Sequence, residues 1–300
     1  MKPGRQWEKI LHDHITSESI KNLDNFKSSK VNHKIALWNP DTNGLRYLKM
    51  LIYNLFNTLT DNQKNILFNC KKRDFGNPVS VKREGEDICL DYIQSCLEVD
   101  FIDKYTTLDS KSILEIGAGY GRTCHAIVSN FNVCTYTICD IGSCLELSKR
   151  YLKEVLDGAD YQKIKFIDPT SLFKSRLEFD LCINIDSFSE MEKRHVLLYL
   201  EFIEKKCKNL YTKNPVGKYA DSEITGDKDP EAIRFASNSG ILNDILEIHD
   251  EVSVLENSKK FLESYRPGGS WVVCSHSWSP PISYYWQAIY KKRDIKTEEL

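Results

Sequence analysis

No run in this sequence approaches the roughly 18 apolar residues that a membrane-spanning helix requires. The best stretch, Tyr47 to Leu59, is interrupted by Lys49, Asn54 and Asn57, so no span is expected. The amino terminus, Met1-Lys2-Pro3-Gly4-Arg5, is basic with no apolar stretch behind it, and no signal peptide is expected. Excess charge is also lacking. Forty-one basic residues face 43 acidic ones, a formal charge of −2, so nothing draws the whole chain to nucleic acid or an anionic surface. There is no C-x-x-C pair, which removes the usual zinc clamp. Cys134, Cys139 and Cys144 recur every five residues, a spacing that fits neither a strand face nor a helix face. Other cysteines lie in apolar segments such as Leu181-Cys182-Ile183 and read as free buried thiols. Free thiols point to a reducing, cytoplasmic setting. No internal repeat and no low-complexity tract is present.

What is present is ordinary globular composition. Apolar residues make up 41% and charged residues 28%, enough for a sizeable core. Residues 1–108 read as a helical region. Tyr47, Leu48, Leu51, Ile52, Leu55 and Phe56 recur at helical spacing. Asp61 is placed to cap a helix through Phe68, and Asp87 to Phe101 reads as another helix. Gly76-Asn77-Pro78 signals a turn. From about residue 109 the texture changes. Strands at 112–116, 133–139, 164–167, 179–185 and 209–211 alternate with helices at 122–129, 141–156 and 190–206. Such alternation implies right-handed βαβ units and a parallel sheet covered on both faces. Trp271 to His276 and Tyr284 to Lys291 read as two strands joined at Pro280-Pro281, an antiparallel hairpin closing the sheet. Asn214 to Asp229 is polar and reads as a long loop. The expected architecture is α/β and Rossmann-like, with a seven-stranded, mainly parallel sheet over 109–300.

The chemistry centres on Glu115-Ile116-Gly117-Ala118-Gly119-Tyr120-Gly121, between a strand and a helix. Glycine there lets the chain turn sharply and lets a ligand approach the backbone. The following helix offers free N–H groups. A dinucleotide site requires G-x-G-x-x-G, but position 122 is Arg. Asp140 ends the next strand, 19 residues after Gly121, where a carboxylate accepts ribose hydroxyls.

The E-x-G-x-G-x-G pattern resembles motif I of the class I S-adenosylmethionine-dependent methyltransferases. That resemblance implies a cofactor set of Glu115, Gly117, Ala118, Gly119, Gly121, Asp140, Ile141, Asp168 and Asn184, with Asp168 meeting the adenine amino group. A D/N-P-P-Y/F motif is missing after the fourth strand, and no Pro-Cys dipeptide exists, which argues against base methylation. The segments at 113–122, 139–152, 184–191 and 211–214 are similar to the sugar O-methyltransferase family, over roughly residues 75 to 290. Ser187-Phe188-Ser189-Glu190-Met191 is more specific than the glycine turn. The resemblance implies S-adenosylmethionine as cofactor and a sugar or glycan hydroxyl as acceptor. Self-association of the chain is compatible with all of this.

Transfer to a hydroxyl requires a base within hydrogen-bond reach. Glu190 and Asp186 are the candidate carboxylates, and His276 is the candidate imidazole. A Mg²⁺ ion held by such carboxylates is the alternative way to activate the hydroxyl. Lys71-Lys72-Arg73 and Lys82-Arg83 are candidate phosphate ligands, against the plainer role of solubilising charge. Trp271, Trp278, Tyr285 and Trp286 are candidates for stacking on a sugar ring, against a core role. The rival functions are methylation of another small metabolite, a silent cofactor-binding partner subunit, and an NAD-dependent oxidoreductase.

Overall fold

The computed structural model describes residues 5–13, 40–220 and 230–293. Its contacts form two compact units, one of 1–58 with 79–88 and one of 59–78 with 89–300. The helices Asp61–Asn69 and Leu90–Tyr105, which the sequence groups with the amino-terminal region, belong to the larger unit.

The smaller unit contains the helices Arg5–Asp13 and Pro40–Thr58, the strand β1 (Ser80–Arg83) and most of β2 (Glu86–Cys89). On the expected apolar face of Pro40–Thr58, Ile52 and Phe56 are buried, whereas Leu51 is exposed. The strand pair corrects the expectation of an all-helical region. Glu84 and Gly85 both take positive φ, 51° and 83°, the pair that a type I′ hairpin turn needs. Charged residues fill both strands, so no apolar alternation announced them. The helix expected from Asp87 accordingly begins at Leu90.

The larger unit is built on β3 (Ser112–Ile116), β4 (Thr135–Cys139), β5 (Ile164–Ile167), β6 (Phe179–Ile185) and β7 (Cys207–Pro215). A short pair, β8 (Lys218–Tyr219) and β9 (Ile245–Leu246), stands apart from the sheet. The hairpin β10 (Trp271–Trp278) and β11 (Tyr285–Lys292) completes it. The sheet has seven strands in the order β10-β11-β7-β6-β3-β4-β5. β3 to β7 pair in parallel, and β11 lies antiparallel between β7 and β10. This is a Rossmann-like α/β fold with a closing antiparallel hairpin, as the alternation of elements predicted. The core rests on the apolar strands of the sheet, with Leu114, Ile116, Cys182 and Leu210 at or near zero exposure.

Helix Asp61–Asn69 is capped by Thr60 and not by Asp61. The Thr60 hydroxyl accepts from Gln63 N–H, and the Gln63 side chain returns to the Thr60 N–H, a reciprocal capping box. The long loop expected from Asn214 is partly strand, since β7 runs to Pro215 and β8 follows. Positions 221–229 of that loop lie outside the described residues. Seven of the ten cysteines are buried, as expected, and Cys134, Cys144 and Cys274 are exposed. No helix among the described residues is long and apolar enough to cross a membrane.

Candidate active site

Register places the site. Ile116 pairs with Cys139 on one side and with Asn184 on the other, and Cys139 pairs with Ile167. The residues that follow, Gly117, Asp140, Asp168 and Asp186, therefore leave the sheet at one carboxyl edge. Strand order reverses at β3/β6, which is where α/β sheets open a crevice.

The glycine turn is tied to both neighbours. Gly117, Gly119 and Gly121 have φ of 74°, 57° and 94°, in the left-handed region. Gly117 N–H donates to Cys139 C=O at 2.9 Å. Gly119 N–H donates to one oxygen of Asp140 at 3.0 Å, and Ile141 N–H donates to the other at 2.8 Å. A Cβ on Gly119 would meet nothing within 4 Å, so the turn faces open space there. Arg122 points its guanidinium away from that space. It reaches Asp91 C=O at 2.8 Å, Ser95 Oγ at 3.1 Å and the Glu98 carboxylate at 3.0 Å.

Beside the turn lies a cavity of about 560 Å³. Gly117, Gly119, Asp140 and Ile141 form one wall, and Ser187, Glu190 and Met191 another. Pro169, Phe173, Leu198 and Tyr199 supply an apolar slot. A second cavity, of about 690 Å³, opens on the other side of Glu190. Glu190 lines both. The second cavity has the tyrosines Tyr219, Tyr284 and Tyr285 on one side and Ser189, Glu190 and Lys218 on the other. Tyr219 and Tyr284 meet edge to face at 6.1 Å.

Glu190 sits on the short helix Ser187–Glu190. Partial burial of its exposed side chain raises its carboxyl above the ordinary range, the Asp186 charge raises it further, and the Lys218 ammonium opposes both. Asp186 turns the chain from β6 into that helix with φ of 64°, unusual for a residue with a side chain. Burial raises its carboxyl too, and the Tyr285 hydroxyl donates to it. Lys218 Nζ donates to Ser189 C=O at 2.9 Å and to Ser239 Oγ at 3.2 Å, fastening β8 over the short helix.

Not every expected residue comes to the cavities. His276 is exposed on the outer strand β10, where its ring accepts from Trp286 Nε1 at 3.2 Å, and it lines neither cavity. Asn184 is fully buried. Its amide donates to Ile116 C=O at 3.1 Å and Ser187 Oγ at 2.6 Å, and its carbonyl accepts from Asn214 at 2.9 Å, so it fastens the strand ends together. Glu115 is buried behind the turn, where it accepts from Tyr136 OH at 2.8 Å. Burial pushes it up to about 7. Asp168 caps the helix Pro169–Lys174 by accepting from Ser171 N–H at 3.0 Å and Ser171 Oγ at 2.5 Å. The Ser171 bonds hold its carboxyl below the ordinary range.

Of the basic run, Lys71 and Lys72 donate to the carbonyls of Phe68 and Glu154, and Arg73 is buried. Arg83 stacks on Tyr53 at 4.1 Å. Lys82 lies 3.7 Å from Asp87, and none of the five lines the two cavities above. Trp271 and Trp286 are buried in the core, and of the four aromatic candidates Tyr285 reaches a cavity. Among the described residues no group of three or more His, Cys, Asp or Glu is placed to hold a metal ion, so the Mg²⁺ expectation gains no support. The sequence reading missed His195 and Tyr199, one helical turn apart on the helix Lys193–Lys206 and both facing the first cavity. The i, i+4 spacing of His195 and Tyr199, with Leu198 at i+3, was the available signal.

No family model and no curated protein matches the chain. Solved structures do resemble it. The methyltransferase domain of bacterial CtHen1-C is 14% identical over 67% of this chain and 98% of that one, with a TM-score of 0.47. Magnesium protoporphyrin IX methyltransferase from Synechocystis PCC 6803, with bound SAH, is 10% identical over 84% of this chain and 100% of that one, at 0.45. The pyocyanin biosynthetic protein PhzM is 12% identical at 0.46 over 66% of this chain, which spans 55% of that protein. The fold assignment stands on the chain's own strand order.

Proposed function

We propose that this chain is an S-adenosylmethionine-dependent methyltransferase whose acceptor is a sugar hydroxyl. One observation carries the reading. A cavity beside the glycine turn and a second, tyrosine-lined cavity share a single carboxylate, Glu190.

The first cavity fits the cofactor. Its volume falls within the range of about 300–1,000 Å³ typical of small-molecule sites. An ionised carboxylate has about four acceptor positions. Asp140 uses two of them on backbone N–H groups, which leaves two for ribose hydroxyls. Open space at Gly119 admits a ligand against the backbone. Ile141, Pro169, Phe173 and Leu198 would enclose a flat base. The cofactor, when bound, supplies an electrophilic methyl group on a sulfonium sulfur.

The protein's own groups do the rest. The second cavity holds the acceptor hydroxyl in line with the border between the cavities, and such positioning accounts for much of the rate. Glu190 takes the hydroxyl proton there, and its raised affinity for protons makes it a stronger base than an ordinary carboxylate. Asp186 is half-buried, accepts from the Tyr285 hydroxyl and orients it. A sugar is favoured because tyrosine faces suit a ring carrying C–H groups, and Ser237, Asn238 and Ser239 add hydrogen-bonding groups to the same wall. The ionic groups on the walls balance, Glu190 and Glu192 against Lys193 and Lys218, which suits a neutral polyol.

Titration with S-adenosylhomocysteine and, separately, with NAD tests the reading. Binding of S-adenosylhomocysteine that weakens in Asp140→Ala is expected. Tight NAD binding without a response to S-adenosylhomocysteine would overturn it.

A further inference from the structure

Glu190 faces the cofactor cavity as well as the acceptor cavity, and a base needs only the second position. The group to be transferred must sit where the two cavities meet, since it has to pass from one to the other. The carboxylates lining the cofactor cavity are Asp140 and Glu190. Asp140 is held at the glycine turn by Gly119 and Ile141. Glu190 stands at the border. Its neighbours Ser187 and Ser189 carry no charge, and Lys218 is drawn toward Ser189 C=O and Ser239 Oγ.

We infer that Glu190 reads the charge on the cofactor's sulfur, standing as a carboxylate beside the sulfonium donor and carrying a proton beside the spent thioether. The inference rests on the methyltransferase reading. Its physical basis is simple. A cation a few ångströms from a partly desolvated carboxylate favours the charged form, whereas a neutral sulfur leaves the desolvation and the Asp186 charge, which favour the proton, opposed by Lys218 alone. Loading the donor thus expels the proton from Glu190 and readies it as the base. After transfer the proton taken from the acceptor hydroxyl stays on Glu190, so the sulfonium charge and the carboxylate charge vanish together.

Other titratable groups surround Glu190. Asp186 precedes it on the same segment and disfavours its charge. Lys218, from β8, favours it. Tyr285, from β11, feels the Glu190 charge and is pushed well above the ordinary phenol range, mainly by burial, so it stays neutral at working pH. Tyr284, beside it, is also raised, by burial and by the charges of Tyr219 and Asp186, and stays neutral. Glu192 is paired with Arg194 at 2.7 Å. Lys193 lines the acceptor cavity, and His195 lines the cofactor cavity from the next helix.

The test needs no acceptor. Isothermal titration measures the affinities of S-adenosylmethionine and S-adenosylhomocysteine from about pH 5.5 to about pH 8.5, a window above the ordinary glutamate value of about 4.3. The ends of the two ligands are identical and cancel in the ratio. Preference for S-adenosylmethionine over S-adenosylhomocysteine should rise by about tenfold across the window and stay flat in Glu190→Gln. Titration in two buffers of different ionisation enthalpy should show a proton released by wild type on binding S-adenosylmethionine and none on binding S-adenosylhomocysteine. A ratio independent of pH in wild type overturns the inference, and so does a pH dependence that survives in Glu190→Gln, which would assign it to another group. Failure of both ligands to bind would remove the methyltransferase reading itself, a result distinct from either.

Discussion

Ser187 occupies the space that a side chain on Gly117 would need. A Cβ on Gly117 would lie 2.3 Å from both Cβ and Oγ of Ser187. Ser187 Oγ in turn donates to Ile116 C=O at 3.0 Å, beside the glycine. The glycine turn and the short helix that carries Glu190 are thereby packed together across the β3/β6 crevice. Neither can shift without moving the other.

Two glycine variants separate packing from ligand approach. Gly117→Ala should lower stability by more than the roughly 1–2 kcal/mol of a left-handed backbone, because Ser187 blocks it. Gly119→Ala meets no neighbour and should lose only the backbone part, yet it narrows the open face of the turn. Thermal denaturation with S-adenosylhomocysteine titration should show Gly117→Ala losing stability and binding, and Gly119→Ala losing mainly binding.

Glu98 is 1% exposed and holds two cations, Lys213 at 2.7 Å and Arg122 at 3.0 Å. Burial alone would raise its carboxyl, but Arg122 and then Lys213 outweigh burial and hold it below the ordinary value. Glu98→Gln should cost roughly 3–5 kcal/mol, because it leaves buried cations unpaired. A lowered folded value means that the Glu98 contribution is present above its unfolded value, about 4.3, and is lost as pH falls through the folded one. Urea denaturation of wild type should show that acid loss, and Glu98→Gln should lack it.

His125 and Glu115 should give opposite pH slopes. Burial lowers His125 to about 4, so between about 6.5 and that value the unfolded chain binds more protons and stability falls as pH falls. Burial raises Glu115 to about 7, so there the folded chain binds more protons and stability falls as pH rises. Each shift corresponds to about 3 kcal/mol at most. Urea denaturation at pH 5 to 7 should steepen downward with pH in His125→Phe and upward in Glu115→Gln.

The catalytic candidates should part company. Glu190→Gln should reduce methyl transfer by about 10²–10⁴-fold, the range for loss of a general base, while S-adenosylhomocysteine still binds. His276→Ala should leave transfer near wild type, since His276 lines neither cavity. Transfer of labelled methyl groups to the acceptor checks both.

Local pattern revealed the sheet because each parallel strand is a short apolar run bounded by turn residues. β5 and β6 fall where the sequence put them, and β3 ends at the glycine turn as expected. The place of Asp140 and Glu190 on the first cavity was legible for the same reason, since each follows directly on such a run or one turn beyond it. Asn184 and His276 show the limit. A polar residue at a strand end reads alike whether it faces a ligand or fastens a neighbouring strand, and Asn184 does the latter. His276 reads as a strand-end imidazole, but nothing local told that β10 is the outermost strand. The second, tyrosine-lined cavity was not legible at all. Its walls come from 189–193, 215–219, 233–239 and 284–285, which only the tertiary fold brings together. The β1–β2 pair was hidden by charge, because its turn residues, and not its strands, carry the signal.

A crystal structure with S-adenosylhomocysteine bound tests the central claim most directly. The account predicts ribose hydroxyls on the Asp140 carboxylate, the base between Ile141 and Phe173, and the sulfur beside Glu190 at the border of the two cavities. Ligand density elsewhere, or a sulfur facing away from Glu190 and the tyrosine-lined cavity, would contradict it.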